Sequence, residues 1–574
     1  MILDYIHQMS LGALPFWDKA DAYGVFNWVL PVLFYTWAGQ KVWGIRLFLL
    51  LLKLVSVALA YRLVARVTRR FYGLLAALGL LVLLGQRWQA LQTAYAFLSV
   101  VPLILAATYF IVVQPLRPAR NALLASVFTT LTVWTKLNTG VYLFVAGYAA
   151  LLFWPPSTHG SDASEPVAGA QPTAAVWVTR WRIAFGVACA GAFSVYLSRH
   201  FEFLYFLYLA LPLWLVFGWA VYRASATPHG TARAALGPST IFLCTTLGSS
   251  LLILLGYYGV QGGVQYASEL SALLATISYH SPFPPLGTPL LYTGFNENYW
   301  PQLPWLFTIL FALWIGLGMR FGERAFGASW PEKSRQMSSI MLLVTLSLFV
   351  LYPRSDDMHI FQALLLVVPL LFVPLFQIGV FLECIARGWG SRYTEGLALV
   401  SAVYGSSLTV HPTLDAIRSG PGDYASPRLE YVRFRPLFNP YVRDFLPGMS
   451  DREWDQAVAE VAAYVDELAD DNEPILVLCD DHLIHAAART TSVGERYAFY
   501  FYLISVRLLD RAGFDQLVPR EIISDIVDAP PRFIVTAGDD QPLVRAFPEL
   551  RELRDRRYHE VKAARFLRVY RLLE

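Results

Sequence analysis

The feature that most constrains this chain is a series of sparsely charged apolar stretches, each about as long as a bilayer is thick, such as 43–65, 92–113 and 360–383. Hydrocarbon offers no water to backbone N–H and C=O groups, so stretches of about 20 apolar residues read as spanning helices. Apolar runs alone place about twelve spans, near 43–65, 71–85, 92–113, 122–134, 138–154, 183–198, 203–221, 238–258, 303–319, 338–352, 360–383 and 395–410. Composition agrees. Only 15% of the 574 residues are charged, where soluble domains run nearer about a quarter. The expected fold is a polytopic α-helical membrane protein with a small C-terminal α/β domain outside the cytoplasm.

Charge tests the count. Alternate loops carry Arg66, Arg69 and Arg70; Arg117 and Arg120; Arg180 and Arg182; Arg223 and Arg233; Arg320, Arg324, Lys333 and Arg335; then Arg387 and Arg392. All fall on one side, as cytoplasmic loops require. Residues 1–410 hold 24 Lys and Arg against 14 Asp and Glu, whereas residues 411–574 hold 21 against 28. The basic excess is thus a membrane-topology signal, and no nucleic-acid partner is expected. The four cysteines are far apart in sequence and suggest neither a disulfide framework nor a zinc site.

The opposite side receives residues 1–42, the loops 259–302 and 353–359, and the tail from 411 onward. Residues 24–41 are apolar and aromatic. A span there would invert every later loop, so they read as an interfacial helix. The chain is accordingly divided into 1–42, an outer-face loop and interfacial helix; 43–410, the membrane domain; and 411–574, the extracytoplasmic domain. Nothing before residue 24 reads as a span, so a helix upstream of residue 1 is expected. In the tail, 451–470 has helical periodicity with Asp451 as N-cap, and PILVLC (474–479), RFIVTA (532–537) and the final ARFLRVYRLL read as strands.

Acidic groups are scarce in the membrane part. On or near the outer face lie Asp18 and Asp21, spaced three apart just before the interfacial segment, with Glu297, Asp356 and Asp357. Solvated, helix-capping aspartates are the plain alternative for Asp18 and Asp21. Loop 353–359 concentrates Arg354, Asp356, Asp357 and His359 between apolar spans, where polar groups are often functional. Lys136 falls at the outer end of a span, as Arg87 and Arg199 do less clearly; a snorkelling anchor is the plain reading of each. Tyr279, Tyr299 and Trp300 read as interfacial belt residues or sugar-stacking rings. Cys479, His482 and His485 read as a strand turning into a capped helix. No metal is expected, since no spacing of carboxylates is diagnostic of one.

With these residues in place, the stretch from 11 to about 85 resembles the opening of bacterial GT-C superfamily glycosyltransferases, closest in kind to the protein O-mannosyltransferase and aminoarabinose transferase branch. Gly12, Pro15, Phe16 and Asp18 match its first motif, and Gly44, Arg46 and Arg66–Arg70 follow in order. TKLNTG (135–140) is similar to its Lys-x-x-Gly turn, and YPRSDDMH (352–359) precedes a late span as in the family. Two departures stand out: no span precedes the aspartate loop, and GQRWQALQTAY (85–95) lacks the second acid that some members carry. The resemblance implies transfer of a sugar, with inversion, from a polyprenyl-phosphate carrier to a glycan, lipid or protein acceptor. The reaction would occur at the outer face of a bacterial cytoplasmic membrane, with membrane lipids as surroundings and no cofactor. It implies Asp18 as general base with Asp21 beside it. It also implies Lys136 and Arg354 at the lipid phosphate, with Glu297, Asp356, Asp357 and His359 as further substrate contacts. A transporter or flippase, or a ligase joining lipid-linked envelope glycans, shares the same apolar topology.

Overall fold

The structure is a computed structural model. It describes residues 2–10, 12–15, 24–39, 42–84, 96–113, 117–154, 172–198, 209–226, 232–280, 302–351, 357–386, 395–396 and 399. In the tail it describes 451–479, 484–485, 488–493, 500–501, 504, 510–519, 521–538 and 542–573.

Two short helices open the chain, α1 (Ile2–Ser10) and α2 (Phe26–Trp37), and Tyr5 packs on Trp28 between them. At about 1.5 Å per residue α2 is about 18 Å long, far short of an apolar core of about 30 Å. It is a helix where an interfacial one was expected. The bundle follows: α3 (Val42–Val67), α4 (Arg70–Leu84), α5 (Ala96–Val112), α6 (Pro118–Val133), α7 (Leu137–Phe153), α8 (Pro172–Ser198), α9 (Leu211–Ala226), α10 (Ala232–Ile253), α11 (Gly259–His280), α12 (Gln302–Phe326), α13 (Trp330–Ser347) and α14 (Asp357–Ala386). Each expected span from 43–65 to 360–383 lies on one of these helices; the last, 395–410, falls almost wholly outside the described residues.

Four continuous helical stretches among the described residues are long and apolar enough to cross a membrane: Trp43–Val67, Leu236–Glu269, Leu306–Ser347 and Ala363–Ile385. Two of these are really pairs. A π-helical turn, Leu254–Tyr258, separates α10 from α11, which opens on Gly259 at a positive φ. The 3₁₀ turn Gly327–Ser329 folds α13 back on α12, so that the Trp330 ring presses on Gly318 and Gly322. The expected outer loop 259–302 therefore begins as a helix, α11, for which no long apolar run had signalled.

The bundle has two chemically distinct ends. At one, the basic side chains act as helix caps. Arg335 donates to the carbonyls of Ile111 and Val112 at 3.2 and 2.5 Å, and Lys333 donates to Val67 O at 2.6 Å. These are the last carbonyls of α5 and α3, which lack acceptors' usual intrahelical donors. Arg69, two residues past α3, lies over the Phe376 ring in the second half of α14. The opposite end holds the start of α7, the junction of α10 with α11, and the start of α14.

The tail meets the bundle at that opposite end, where α16 (Arg511–Leu517) packs on α11. Its remaining elements are α15 (Asp451–Leu468), β1 (Pro474–Leu478), β2 (Thr491–Ser492), α17 (Glu521–Asp528), β3 (Phe533–Thr536), α18 (Pro542–Ala546), α19 (Pro548–Arg557), β4 (Tyr558–Ala564) and β5 (Leu567–Leu572). The sheet order is β2-β1-β3-β5-β4, with β1 parallel to β2 and β3, and the β4–β5 hairpin antiparallel. Alternation along β1 sends Ile475 and Val477 under α15, beside Val461 and Val465, and Leu476 and Leu478 to the other face. The expected final strand is the second half of a hairpin. Its partner β4 (YHEVKAA) was not legible, because charged residues on an edge strand mask its periodicity.

Tyr558 ties this hairpin down: its hydroxyl donates to Pro531 O, and burial raises its pKa above the ordinary tyrosine range. The neutral form is the one favoured by folding. Its contribution is therefore full below about pH 10 and lost as pH rises through the raised folded value. Tyr558→Phe is expected to destabilise the tail by about 1–3 kcal/mol, leaving a buried carbonyl without its donor. It should also blunt the tail's alkaline unfolding, read by limited proteolysis across pH. An unchanged alkaline limb in the variant would rule Tyr558 out as its source.

Candidate functional site

The loop between α6 and α7 is three residues long, Trp134 to Lys136. The Trp134 N–H donates to Thr130 O, and the N–H groups of Thr135 and Lys136 both donate to Thr132 O, so the turn is rigid. Lys136 is the N-cap residue of α7 and is only 7% exposed. A buried lysine at the N-terminus of a helix, where the helix dipole is positive, makes this corner positive twice over, which suits an anion. The α6–α7 approach requires Gly140: a Cβ there would stand 2.3 Å from Val133 Cα.

The segment that follows Asp18 and Asp21 is fastened to this turn by backbone alone. Gly24 N–H donates to Thr135 O at 3.3 Å, and Phe26 N–H donates to Trp134 O at 3.1 Å. Gly24 cannot be otherwise, since a Cβ would lie 1.9 Å from Trp134 O. The segment before Asp18 is fastened too, because Tyr257 Oη donates to Pro15 O at 2.9 Å. Tyr258 and Tyr266 then pack on Trp134, with ring centroids 5.5 and 6.2 Å away. Asp18 and Asp21 themselves lie outside the described residues.

The 3₁₀ turn that precedes the late motif lies toward the same end. Phe349, in the 3₁₀ turn Leu348–Leu351, packs on Tyr142 at 5.8 Å, and Tyr142 is about 9 Å along α7 from Lys136. Arg354, Asp356 and Glu297 lie outside the described residues, as do Arg87, Arg199, Tyr299, Trp300 and His482. Asp357 opens α14 and His359 follows in its first turn. Tyr279 lies in the last turn of α11. In the tail, Cys479 is buried at the end of β1, and His485 is buried with Nδ1 3.4 Å from Thr490 Oγ1.

Sequence reasoning missed Gly24, Trp134, Tyr257 and Tyr258. The only local trace of the tyrosines is the Tyr-Tyr-Gly at a span end. Gly24→Ala is expected to destabilise the purified protein by about 1–3 kcal/mol through forced displacement of the turn. Gly191→Ala should be silent, having nothing within 4 Å of the added methyl. Equal melting temperatures for the two variants would mean that the 24–26 segment does not hold the turn.

No family model matches this chain, and no curated protein does. Among solved structures, it is similar to ArnT from Cupriavidus metallidurans in the apo state. The identity is 13% and the TM-score 0.36, over 99% of this chain and 92% of the other. It is similar in the same way to that protein bound to undecaprenyl phosphate, at 14% identity and a TM-score of 0.35, over the same shares.

Proposed function

We propose that this chain is a membrane glycosyltransferase of the GT-C type. It moves a sugar from a polyprenyl-phosphate carrier to an acceptor at the outer face of a bacterial cytoplasmic membrane, with inversion. The observation that carries this reading is the backbone ladder from Gly24 and Phe26 to the turn that presents Lys136. It fastens the segment that follows the closely spaced pair Asp18 and Asp21 in sequence to the turn that carries the buried Lys136, at the end of the bundle where the tail docks.

The chemistry needs both signs of charge there. An acceptor hydroxyl is a poor nucleophile until a base takes its proton, and Asp18 is that base, with Asp21 beside it. The leaving lipid phosphate gains charge as the sugar departs, and Lys136 and Arg354 stabilise it from the opposite face of the sugar. Glu297, Asp356, Asp357 and His359 serve sugar and acceptor contacts. The ordered motifs of the sequence support the same reading. No metal is assigned.

Mass spectrometry of envelope lipids and glycans from cells with and without the gene tests this. Loss of the gene is expected to leave an unmodified acceptor beside unspent polyprenyl-phosphate sugar. An identical profile in both strains would overturn it.

A further inference from the structure

At the basic end of the bundle, among the described residues, two buried side chains carry donors with no acceptor. Arg182, on α8, is 7% exposed, and neither Nε nor Nη2 of its guanidinium has a partner. Trp154, which caps α7, is also 7% exposed, and its indole N–H is unpartnered. The helices run antiparallel: Tyr142 meets Phe193, Tyr148 meets Phe185, and the Phe153 ring stands 3.0 Å from where a Cβ on Gly186 would be. Trp154 and Arg182 therefore both lie just past the Phe153–Gly186 contact, at the same end.

Three other cations there that are not fully exposed have partners. Arg335 has two carbonyls and Glu332, Lys333 has Val67 O, and Arg223 lies over the Trp219 ring. Arg182 alone among these is buried with no acceptor, a costly state for an ion. Its two orphaned nitrogens form one edge of the guanidinium fork, whose parallel N–H bonds match two oxygens of a phosphate. Depth is marked by Trp177 and Trp181 on α8, stacked at 6.3 Å and exposed, as interfacial belt residues are.

We propose that Arg182 and Trp154 form a phosphate-binding site for the headgroup of an anionic phospholipid, in the leaflet at the basic end. The site is at the opposite end of the bundle from Lys136 and does not depend on the function proposed above. Inorganic phosphate shares the chemistry but not the acyl chains that would hold it at this depth. A carboxylate of the chain itself, Asp162 or Glu165, is the competing acceptor.

The full chain is reconstituted in phosphatidylcholine vesicles with and without phosphatidylglycerol, and its thermal unfolding midpoint is measured. Phosphatidylglycerol is expected to raise the midpoint by several degrees, and inorganic phosphate without it to leave the midpoint unchanged. Arg182→Met removes an unpaired buried charge. It is expected to raise the midpoint in phosphatidylcholine alone and to abolish the phosphatidylglycerol response. The double variant Asp162→Asn, Glu165→Gln should keep that response. Native mass spectrometry of wild type and Arg182→Lys provides a second readout, with fewer phosphatidylglycerol molecules retained by the lysine variant. The proposal fails if Arg182→Met responds to phosphatidylglycerol as wild type does, if inorganic phosphate reproduces the shift, or if the double variant loses the response.

Discussion

Replacing Asp18 by Asn is expected to lower sugar transfer by about 10²–10⁴-fold while leaving the affinity for the lipid-phosphate donor near that of wild type. Asparagine keeps the size and the acceptor oxygen of aspartate and removes only its capacity to take a proton, which is the share of rate a positioned general base supplies. The split between turnover and donor binding makes the test specific. A residue that merely shaped the loop would change both together. The measurement is transfer from polyprenyl-phosphate sugar in detergent, alongside direct donor binding. Full turnover in Asp18→Asn would remove the base from the proposal and shift weight to a transporter or ligase. Asp21→Asn run in parallel shows whether the second carboxylate shares the work.

Lys136→Met should produce the second large effect, with the opposite signature. The ammonium is buried at the start of α7, so it cannot be replaced by a bulk counter-ion. Removing one preorganised positive group facing a developing phosphate charge costs about 10²–10³-fold in rate. Donor affinity should fall as well, because the phosphate is already charged in the ground state. Lys136→Met must also be assayed for thermal stability. If the ammonium serves only to hold the aspartate segment by charge, melting temperature drops and donor affinity is kept. That pattern would exclude Lys136 as a phosphate ligand.

Most of the architecture was legible because it follows from local chemistry. A run of about 20 apolar residues has few stable places other than a bilayer, and helix is the form that satisfies its backbone there. The positions of α3 to α10, α12, α13 and α14 accordingly lie where the apolar runs are. The basic residues were legible as topology markers, yet their structural use was not. Arg335 and Lys333 close the last carbonyls of α5 and α3, and nothing near them in sequence says so. Helix α11 escaped because its first residues, GVQGGVQYASEL, mix glycine and polar groups without an apolar run. In the tail, β1, β3 and β5 were legible from buried β-branched residues, and edge strand β4 was not.

The candidate site divides the same way. Residue type and order singled out Asp18, Lys136 and Arg354 as groups suited to acid–base and phosphate chemistry. What lies against the Lys136 turn is a different kind of fact. Gly24 and Phe26 reach the Lys136 turn through backbone N–H and C=O groups, which every residue has and which leave no mark on the sequence. Tyr257 reaches Pro15 across 242 positions of chain, a separation no periodicity spans. By itself, then, the sequence determined helices, charge polarity and the chemical menu, since each depends on neighbours within a turn or a strand. Only tertiary structure decided which residues face one another, because that depends on packing between helices and on hydrogen bonds that any side chain would permit.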